Sequence, residues 1–350
     1  MISMKLEQVE KIAVLGAGVM GNGIAQIAAG AGYRVTIRDI AQEFLDKARG
    51  RIEGSLRRQV DRGRMTEEAL QEVIGNISYE FDLPTAVADA DLIIEAIPEK
   101  LELKRQVWGE VSEHAKEEAI LATNTSSLSI TEIARSVDHP ERFIGMHFFN
   151  PPTHMRLVEV IPGEKTDRDT IALVKEIAES LGKTSVEVKK DVVGFIVNRV
   201  LVTYLNEAAK LLDTGEWTKE QIDGAMQFGA KMPLGPFMLS DLIGLDIVYH
   251  VLKVFEGEFG PYYSPTPPIE RLFNEKKLGR KTGEGFYSYE ERPSVTEENG
   301  EGFDTDLLLR PFIQEAEKVV AEGIADEESV DTAMKLGGNI PKGPFELKRL

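Results

Sequence analysis

The chain contains no cysteine, which rules out a disulfide framework, a thiolate zinc site, an iron–sulfur cluster and a cysteine nucleophile. That lack is compatible with a reducing interior, and a cytoplasmic location is expected. Long apolar runs are missing too. Met1 to Lys11 alternates Lys and Glu with single apolar residues and has no signal-peptide core, and no later run approaches the roughly 18 residues of a membrane span. The expectation is a soluble protein with no membrane partner. Basic charge is scarce: 41 Lys and Arg against 59 Asp and Glu leave a net charge of −18, which repels nucleic acid. A polyanionic ligand would need a locally basic patch. What is present suits a globular protein, since 42% apolar and 29% charged residues over 350 positions can bury sizeable cores in about two or three domains.

In the first third, short apolar runs alternate with helix-like segments. Residues 11–16 (KIAVLG), 34–38 (RVTIR), 91–95 (DLIIE) and 119–122 read as buried parallel strands. Leu101, Val107, Val111 and Ala115 fall near one face of a helix, and Ser129 with Glu132 offers a capping box before Ile133. This alternation predicts a Rossmann-type α/β fold, a doubly wound parallel sheet whose ligands sit beyond the strands' C-terminal ends. Residues 41–75 interrupt it with two Arg-rich segments meeting near Gly63, where Thr66 can cap the second, and read as an inserted helical hairpin.

Beyond about Asp191 the pattern becomes helical. Residues 1–190 are therefore expected as the α/β domain, 191–290 as a helical domain, and 303–350 as a second, partial helical unit. The last two match each other at an offset of 108: Glu207-Ala208 with Glu315-Ala316, Gly215 with Gly323, Asp223, Ala225 and Met226 with Asp331, Ala333 and Met334, and MPLGPF with IPKGPF. Such a repeat implies an all-α C-terminal region of two similar units that bury their apolar faces on each other or on another chain. Residues 290–302, polar and without periodicity, form the linker.

Gly16-Ala-Gly18-Val-Met20-Gly21 follows the first strand and opens a helix to about Ala31, and Asp39 ends the second strand 18 residues after Gly21. This is a dinucleotide fingerprint in context. Gly16 permits the tight turn, Gly18 lets the backbone approach a pyrophosphate, Gly21 lets the helix pack on the sheet, and the helix N-terminus attracts the phosphates. Asp39 would accept from ribose hydroxyls and repel a 2′-phosphate, so NAD is favoured over NADP, with neighbouring Arg38 leaving some tolerance.

Two further strand ends carry polar side chains: Thr123-Asn124-Thr-Ser126-Ser-Leu128, and His147-Phe-Phe-Asn-Pro-Pro152 after residues 142–146. Glu159 stands twelve residues beyond His147 in an apolar strand (LVEVI), where a carboxylate is costly unless partnered. Oxidising an alcohol with NAD needs a base for the hydroxyl proton while hydride leaves, and His147 has the suitable pKa range. Glu159 would fix its tautomer and stabilise the imidazolium. The five His are scattered, so no metal is expected.

GAGVMG, NTSSL, HFFNP with LVEVI, GFIVNR, and LGRKTGEGFY with GPF together resemble the L-3-hydroxyacyl-CoA dehydrogenase family, including its 3-hydroxybutyryl-CoA dehydrogenase branch, over nearly the whole chain. The resemblance implies that His147 is the general base, Glu159 its partner, and that Ser126 and Asn198 hold substrate oxygens. Glu99 and Lys104 resemble the family's cofactor-contacting acid and lysine, Lys281 a residue near the nicotinamide or phosphates, and Asn124 belongs to the same cofactor site. Ser55 and Arg62 match positions that touch the pantetheine and phosphate end of coenzyme A. They lie in a stretch, Glu43 to Arg64, with seven basic residues against four acids, the patch that an acyl-CoA substrate would need. Val192-Val193 stands where the family often has Pro. The duplicated helical unit resembles that of multifunctional fatty-acid oxidation proteins, where one chain supplies both units that elsewhere meet across a homodimer. This leaves a monomer or a homodimer open, and with it a fused or associated enoyl-CoA hydratase. Asp306 replaces Asn198 in the second unit, which lacks GFIVNR and reads as structural. Competing readings are a dehydrogenase of a free hydroxy or sugar acid, which would not need the basic hairpin, and a non-catalytic nucleotide-binding scaffold, against which the Ser, His, Glu and Asn set argues.

Overall fold

The computed structural model describes residues 4–349. The chain divides into two compact units, one ending at Asp191 and the other starting at Val192. The first is built on an eight-stranded sheet in the order β3-β2-β1-β4-β5-β6-β7-β8. Its strands are β1 (Lys11–Leu15), β2 (Arg34–Arg38), β3 (Ile77–Glu80), β4 (Leu92–Glu95), β5 (Ile120–Thr123), β6 (Phe143–Phe148), β7 (Leu157–Pro162) and β8 (Thr184–Glu187). Helices α1 (Val19–Gly30), α2 (Gln42–Asp61), α3 (Glu67–Gly75), α4 (Leu83–Val87), α5 (Leu101–His114), α6 (Ile130–Ala134) and α7 (Arg168–Ser180) complete the unit. The central strands β4, β5 and β6 are buried at every position, as their continuous apolar runs require. The chain order reverses at β1 and β4, and that crevice is where the glycine turn lies.

Three expectations need correction. The sheet is not wholly parallel: β7 runs antiparallel to β6. Only eight residues, 149–156, join them, too few for the crossover that a parallel pair demands. Two strands, β3 and β8, were not anticipated, because ISYE and TSVE are short and polar at alternate positions. The capping box at α6 is half formed. Ser129 accepts from the Glu132 amide at 3.1 Å, but the Glu132 carboxylate binds Arg105 at 2.6 Å, and Asp191 takes the other exposed helix donors, accepting from the Ile130 and Thr131 amides at 3.0 and 2.7 Å. The inserted hairpin is present as α2 and α3, with Gly63 at φ +66° between them and the Thr66 hydroxyl accepting from the Ala69 amide.

The second unit is helical: α8 (Val197–Asp213), α9 (Lys219–Gly224) continued by a wide turn over Ala225–Gly229, α10 (Pro236–Ile243), α11 (Leu245–Phe259), α12 (Pro267–Asn274), α13 (Asp306–Ala321), α14 (Glu327–Leu336) and α15 (Pro344–Lys348). The repeat is structural as well as sequential. Asp223 accepts from the Phe237 and Met238 amides at 2.9 and 3.0 Å, and Asp331 accepts from the Phe345 and Glu346 amides at 2.8 and 3.1 Å, each acid capping the helix that opens at GPF. Helix α13 packs along α8, with the Tyr204 and Phe312 rings 5.6 Å apart, so the two repeats bury their apolar faces on each other. The segment between them is less detached than its polarity suggests, since Gly300 and the Thr296 carbonyl lie against Gly224, where a Cβ would come within 2.8 Å of the Gly300 amide.

Candidate active site

The glycine turn is shaped by close approach. Gly16 has φ +105°, and a Cβ there would sit 2.6 Å from the Ala96 carbonyl oxygen; one on Gly21 would lie 1.8 Å from the Gly16 oxygen. Gly18 caps α1, and a Cβ on it would meet nothing within 4 Å. That combination leaves a bare backbone face before a helix N-terminus, which fits a pyrophosphate. Asp39 closes the turn, accepting from the Ala17 amide at 2.6 Å through one oxygen and from the Ile40 amide at 2.7 Å through the other. Arg38 is turned elsewhere, donating to the Phe81 carbonyl at 3.1 Å. Met20 is half-buried against the core, whereas Val19 and Ile40 are 56% and 74% exposed beside the turn. Ile40, absent from the sequence reading, supplies an apolar face next to Asp39, a surface suited to a flat base. The residues present therefore fit NAD.

His147 and Glu159 face each other directly in the β6–β7 ladder. Their spacing in sequence becomes an antiparallel cross-strand pair, with His147 Nδ1 2.7 Å from Glu159 Oε2. Both are buried, at 5% and 0% exposure. Because a carboxylate only accepts, Nδ1 carries the hydrogen. Asn124, at the end of β5, accepts from the Phe148 amide at 2.8 Å and so ties its loop to the strand that carries His147. The Phe149 ring lies 4.4 Å from the imidazole.

A second network, buried at its Glu95–Lys104 end and open at Glu99, organises the loop after β5. Glu99 accepts from the Thr125 hydroxyl at 2.6 Å and from the Ser126 and Ser127 amides at 2.8 and 3.1 Å, while the Ser126 hydroxyl donates to the same oxygen at 3.3 Å. Lys104, 1% exposed, reaches Glu95 at 2.5 Å and Glu99 at 3.3 Å. Glu95 also accepts from Thr123 at 2.8 Å and from the Trp108 indole at 3.3 Å. Burial alone would raise the Glu99 carboxyl, but Lys104 and the Thr125 and Ser126 donors hold it below its ordinary value. Lys104 thus pairs with the fully buried carboxylate of Glu95 and with that of Glu99, which is partly open to solvent.

The Asn150-Pro151-Pro152 loop beyond β6 is held by Lys183, whose ammonium donates to the Pro152 and Met155 carbonyls at 2.5 and 2.8 Å and whose pKa burial lowers. Pro152 in turn lies against Gly23 of α1, where a Cβ would come within 3.0 Å of its ring. Glu95, Asp191 and Lys183 were missed by sequence reasoning. For Glu95 a signal existed, an acid ending an apolar strand.

The structure thus gathers Asn124, Ser126, His147 and Glu159, with Glu99 and Lys104, at neighbouring strand ends of the first unit. Ser55 lies within α2, and Arg62 is exposed at its C-terminal end with Arg58 and Arg64 beside it, whereas Arg57 is drawn into a pair with Glu67. Asn198 and Lys281 belong to the second unit. Asn198 is the second residue of α8, and Lys281 forms an ion pair with Asp246 at the start of α11.

A doubly wound sheet with an open glycine turn, an acid at the end of β2 and a buried His–Glu pair at the strand ends defines an NAD-dependent oxidoreductase. Residues 11–192 match the NAD-binding domain of 3-hydroxyacyl-CoA dehydrogenase, and residues 194–289 and 302–350 match its C-terminal domain. The chain belongs to the 3-hydroxyacyl-CoA dehydrogenase family. It is 44% identical over 280 residues to the probable 3-hydroxybutyryl-CoA dehydrogenase of Deinococcus radiodurans, covering 80% of this chain and 100% of the relative. The crystal structure of 3-hydroxybutyryl-CoA dehydrogenase from Escherichia coli superposes with a TM-score of 0.91 at 30% identity, over 97% of this chain and 91% of that one. The (S)-3-hydroxybutyryl-CoA dehydrogenase of Ralstonia eutropha gives a TM-score of 0.78 at 37% identity, over 80% of this chain and 99% of that one.

Proposed function

We propose that this chain oxidises the 3-hydroxyl of a short-chain L-3-hydroxyacyl-CoA such as 3-hydroxybutyryl-CoA to the 3-ketoacyl-CoA, with His147 as general base. The observation that carries the reading is the buried His147–Glu159 pair at 2.7 Å. With Nδ1–H committed to Glu159, the imidazole takes the substrate proton at Nε2, and the carboxylate stabilises the imidazolium that results. NAD, held at the glycine turn and Asp39, would supply the hydride acceptor. Ser126, whose hydroxyl contact with Glu99 is a long 3.3 Å, turns to donate to the substrate hydroxyl oxygen, leaving that hydroxyl's hydrogen to His147, and Asn198 donates to a second substrate oxygen. Gly16, Gly18, Met20 and Gly21 form the turn for the pyrophosphate, and Asp39 takes the ribose. Asn124 and Glu99 fix the loop beside the cofactor, and Lys104 acts on it through Glu99. Lys281 would exchange Asp246 for a ligand phosphate, and Ser55 with Arg62 and its neighbours would hold the coenzyme A phosphates.

We place the enzyme in the cytoplasm; among the described residues no helix is long and apolar enough to cross a membrane. Helix α13 lies along α8 within one chain, and on this basis we read the second repeat as filling the surface where single-repeat relatives would meet a second copy, so that the chain acts as a monomer. Sedimentation at micromolar concentration checks this, with a dimer overturning it.

The deciding experiment is the initial rate of NADH oxidation with acetoacetyl-CoA, wild type against His147→Gln. The variant loses about 10² to 10⁴ in kcat while still binding NADH. Wild-type protein that binds NADH yet does not turn over acetoacetyl-CoA would move the assignment to a free hydroxy acid.

A further inference from the structure

The second helical repeat carries no site residue of its own, yet it sends one buried charge into the first. Arg199, the residue after Asn198, is 2% exposed. Its Nε donates to Glu315 of α13 and its Nη2 donates to Glu322 at 3.2 Å, while its guanidinium lies 3.9 Å from the centre of the Phe259 ring. Glu315, 1% exposed, also accepts from the Tyr263 hydroxyl at 3.0 Å and from Lys318 at 2.9 Å. The repeat's near-symmetry makes this contact informative. Glu207 and Glu315 are equivalent positions, and each holds the lysine three residues on: Lys210 at 2.6 Å and Lys318 at 2.9 Å. The equivalent of Arg199, however, is Leu307, which is 43% exposed. A symmetric pairing of repeats would bury two arginines. Among the described residues these two repeats bury Arg199 alone, on the side that bears Asn198.

The backbone of the same residue is fixed as tightly. The Arg199 amide donates to the Gly194 carbonyl at 3.1 Å, spanning a turn in which Gly194 and Phe195 have φ +76° and +52°. A Cβ on Gly194 would strike the Phe255 ring at 2.5 Å. Main chain and side chain of Arg199 thus anchor the first turn of α8 from two directions. A buried ion pair is a poor way to gain stability, since an apolar pair of similar volume does as well or better; its better-attested use is to select one geometry.

We infer that Glu315, through Arg199, is a positioning residue for Asn198, so that the second repeat takes part in the reaction by setting the first turn of α8. The inference rests on the substrate-holding role of Asn198 proposed above.

A double-mutant cycle on the full chain tests it, with Glu315→Gln, Asn198→Ala and the combination assayed with acetoacetyl-CoA and NADH, NADH affinity read by fluorescence and folding by circular dichroism. Glu315→Gln lowers kcat roughly tenfold with NADH affinity unchanged, because a small misplacement of a positioned group is expensive. In the Asn198→Ala background the same change costs less than about twofold, as residues acting through one another are not additive. A folded Glu315→Gln protein with wild-type kcat, or an equal loss in both backgrounds, overturns the inference. An Asn198→Ala protein with full activity refutes the assignment of Asn198 instead, whatever Glu315→Gln does, and the positioning claim falls with it. Should Glu315→Gln fail to fold, Arg199→Met combined with Glu315→Leu removes both charges at similar volume. That protein folds and shows the same kcat loss, and wild-type kcat in it refutes the proposal.

Discussion

The two helical repeats share a skeleton and differ in equipment. Both end their long helix on a left-handed glycine, both cap the GPF helix with a buried-side aspartate, and both press a glycine against that aspartate. Burial raises the carboxyl pKa of both caps, that of Asp223 to about 7, backbone donors opposing the shift in each case. Only the first repeat has the Gly194-Phe195 turn and Asn198; the second has Thr305 as N-cap and Asp306, which pairs at the surface with Arg310 at 3.1 Å. What the comparison teaches is that the contacts defining how each unit folds are separable from those that equip one of them for chemistry.

The largest effect expected from this contrast is on activity. Asn198→Ala removes the donor we propose for a substrate oxygen and should lower kcat/KM with acetoacetyl-CoA by about 10², whereas Asp306→Ala, at the equivalent place, should leave it within about twofold. Equal losses would break the division of labour. Next come the glycines against the caps. In Gly235→Ala the new Cβ would lie 2.3 Å from Asp223 Cγ, and in Gly343→Ala 2.2 Å from Asp331 Oδ1. Overpacking of this kind costs on the order of 2 kcal/mol in either repeat, a drop of roughly 4–8 °C in Tm for a unit of this size. Thermal melts that show a drop only for Gly235→Ala would mean that the second copy no longer depends on the shared skeleton.

Much of this was legible in the residues, and the physical reason differs by feature. The central strands stood out because strands buried on both faces must be continuously apolar; β3 and β8 did not, because short edge strands need only alternate. His147 and Glu159 could be paired from their chemistry, since a buried acid demands a partner, but the antiparallel register that sets them opposite each other is a consequence of the eight-residue connection. Lys104 is the opposite case. In sequence it is a charge on a helix start, and nothing local says that Glu95 and Glu99 will enclose it. Arg199 escaped notice for the same reason: its partner lies 116 residues away, beyond any local pattern. Repeats were the easiest feature of all, because identical packing demands keep the same residue types in one register.

The smallest expected effect is also the cleanest test of that register. Gly215 and Gly323 follow the C-terminal residues of α8 and α13 at φ +75° and +69°, with their amides bonded back to the Leu212 and Val320 carbonyls at 3.2 and 2.9 Å. This is the left-handed helix stop that glycine serves. A Cβ at either position would meet nothing within 4 Å, so crowding contributes nothing and only backbone strain remains. Each Gly→Ala change should therefore cost about 1 kcal/mol, and Gly→Asn less, because Asn tolerates this region better. The two positions should respond alike in thermal melts, and neither should alter kcat with acetoacetyl-CoA. A loss of kcat in Gly323→Ala alone would show that the second repeat's long helix is linked to turnover by more than Glu315.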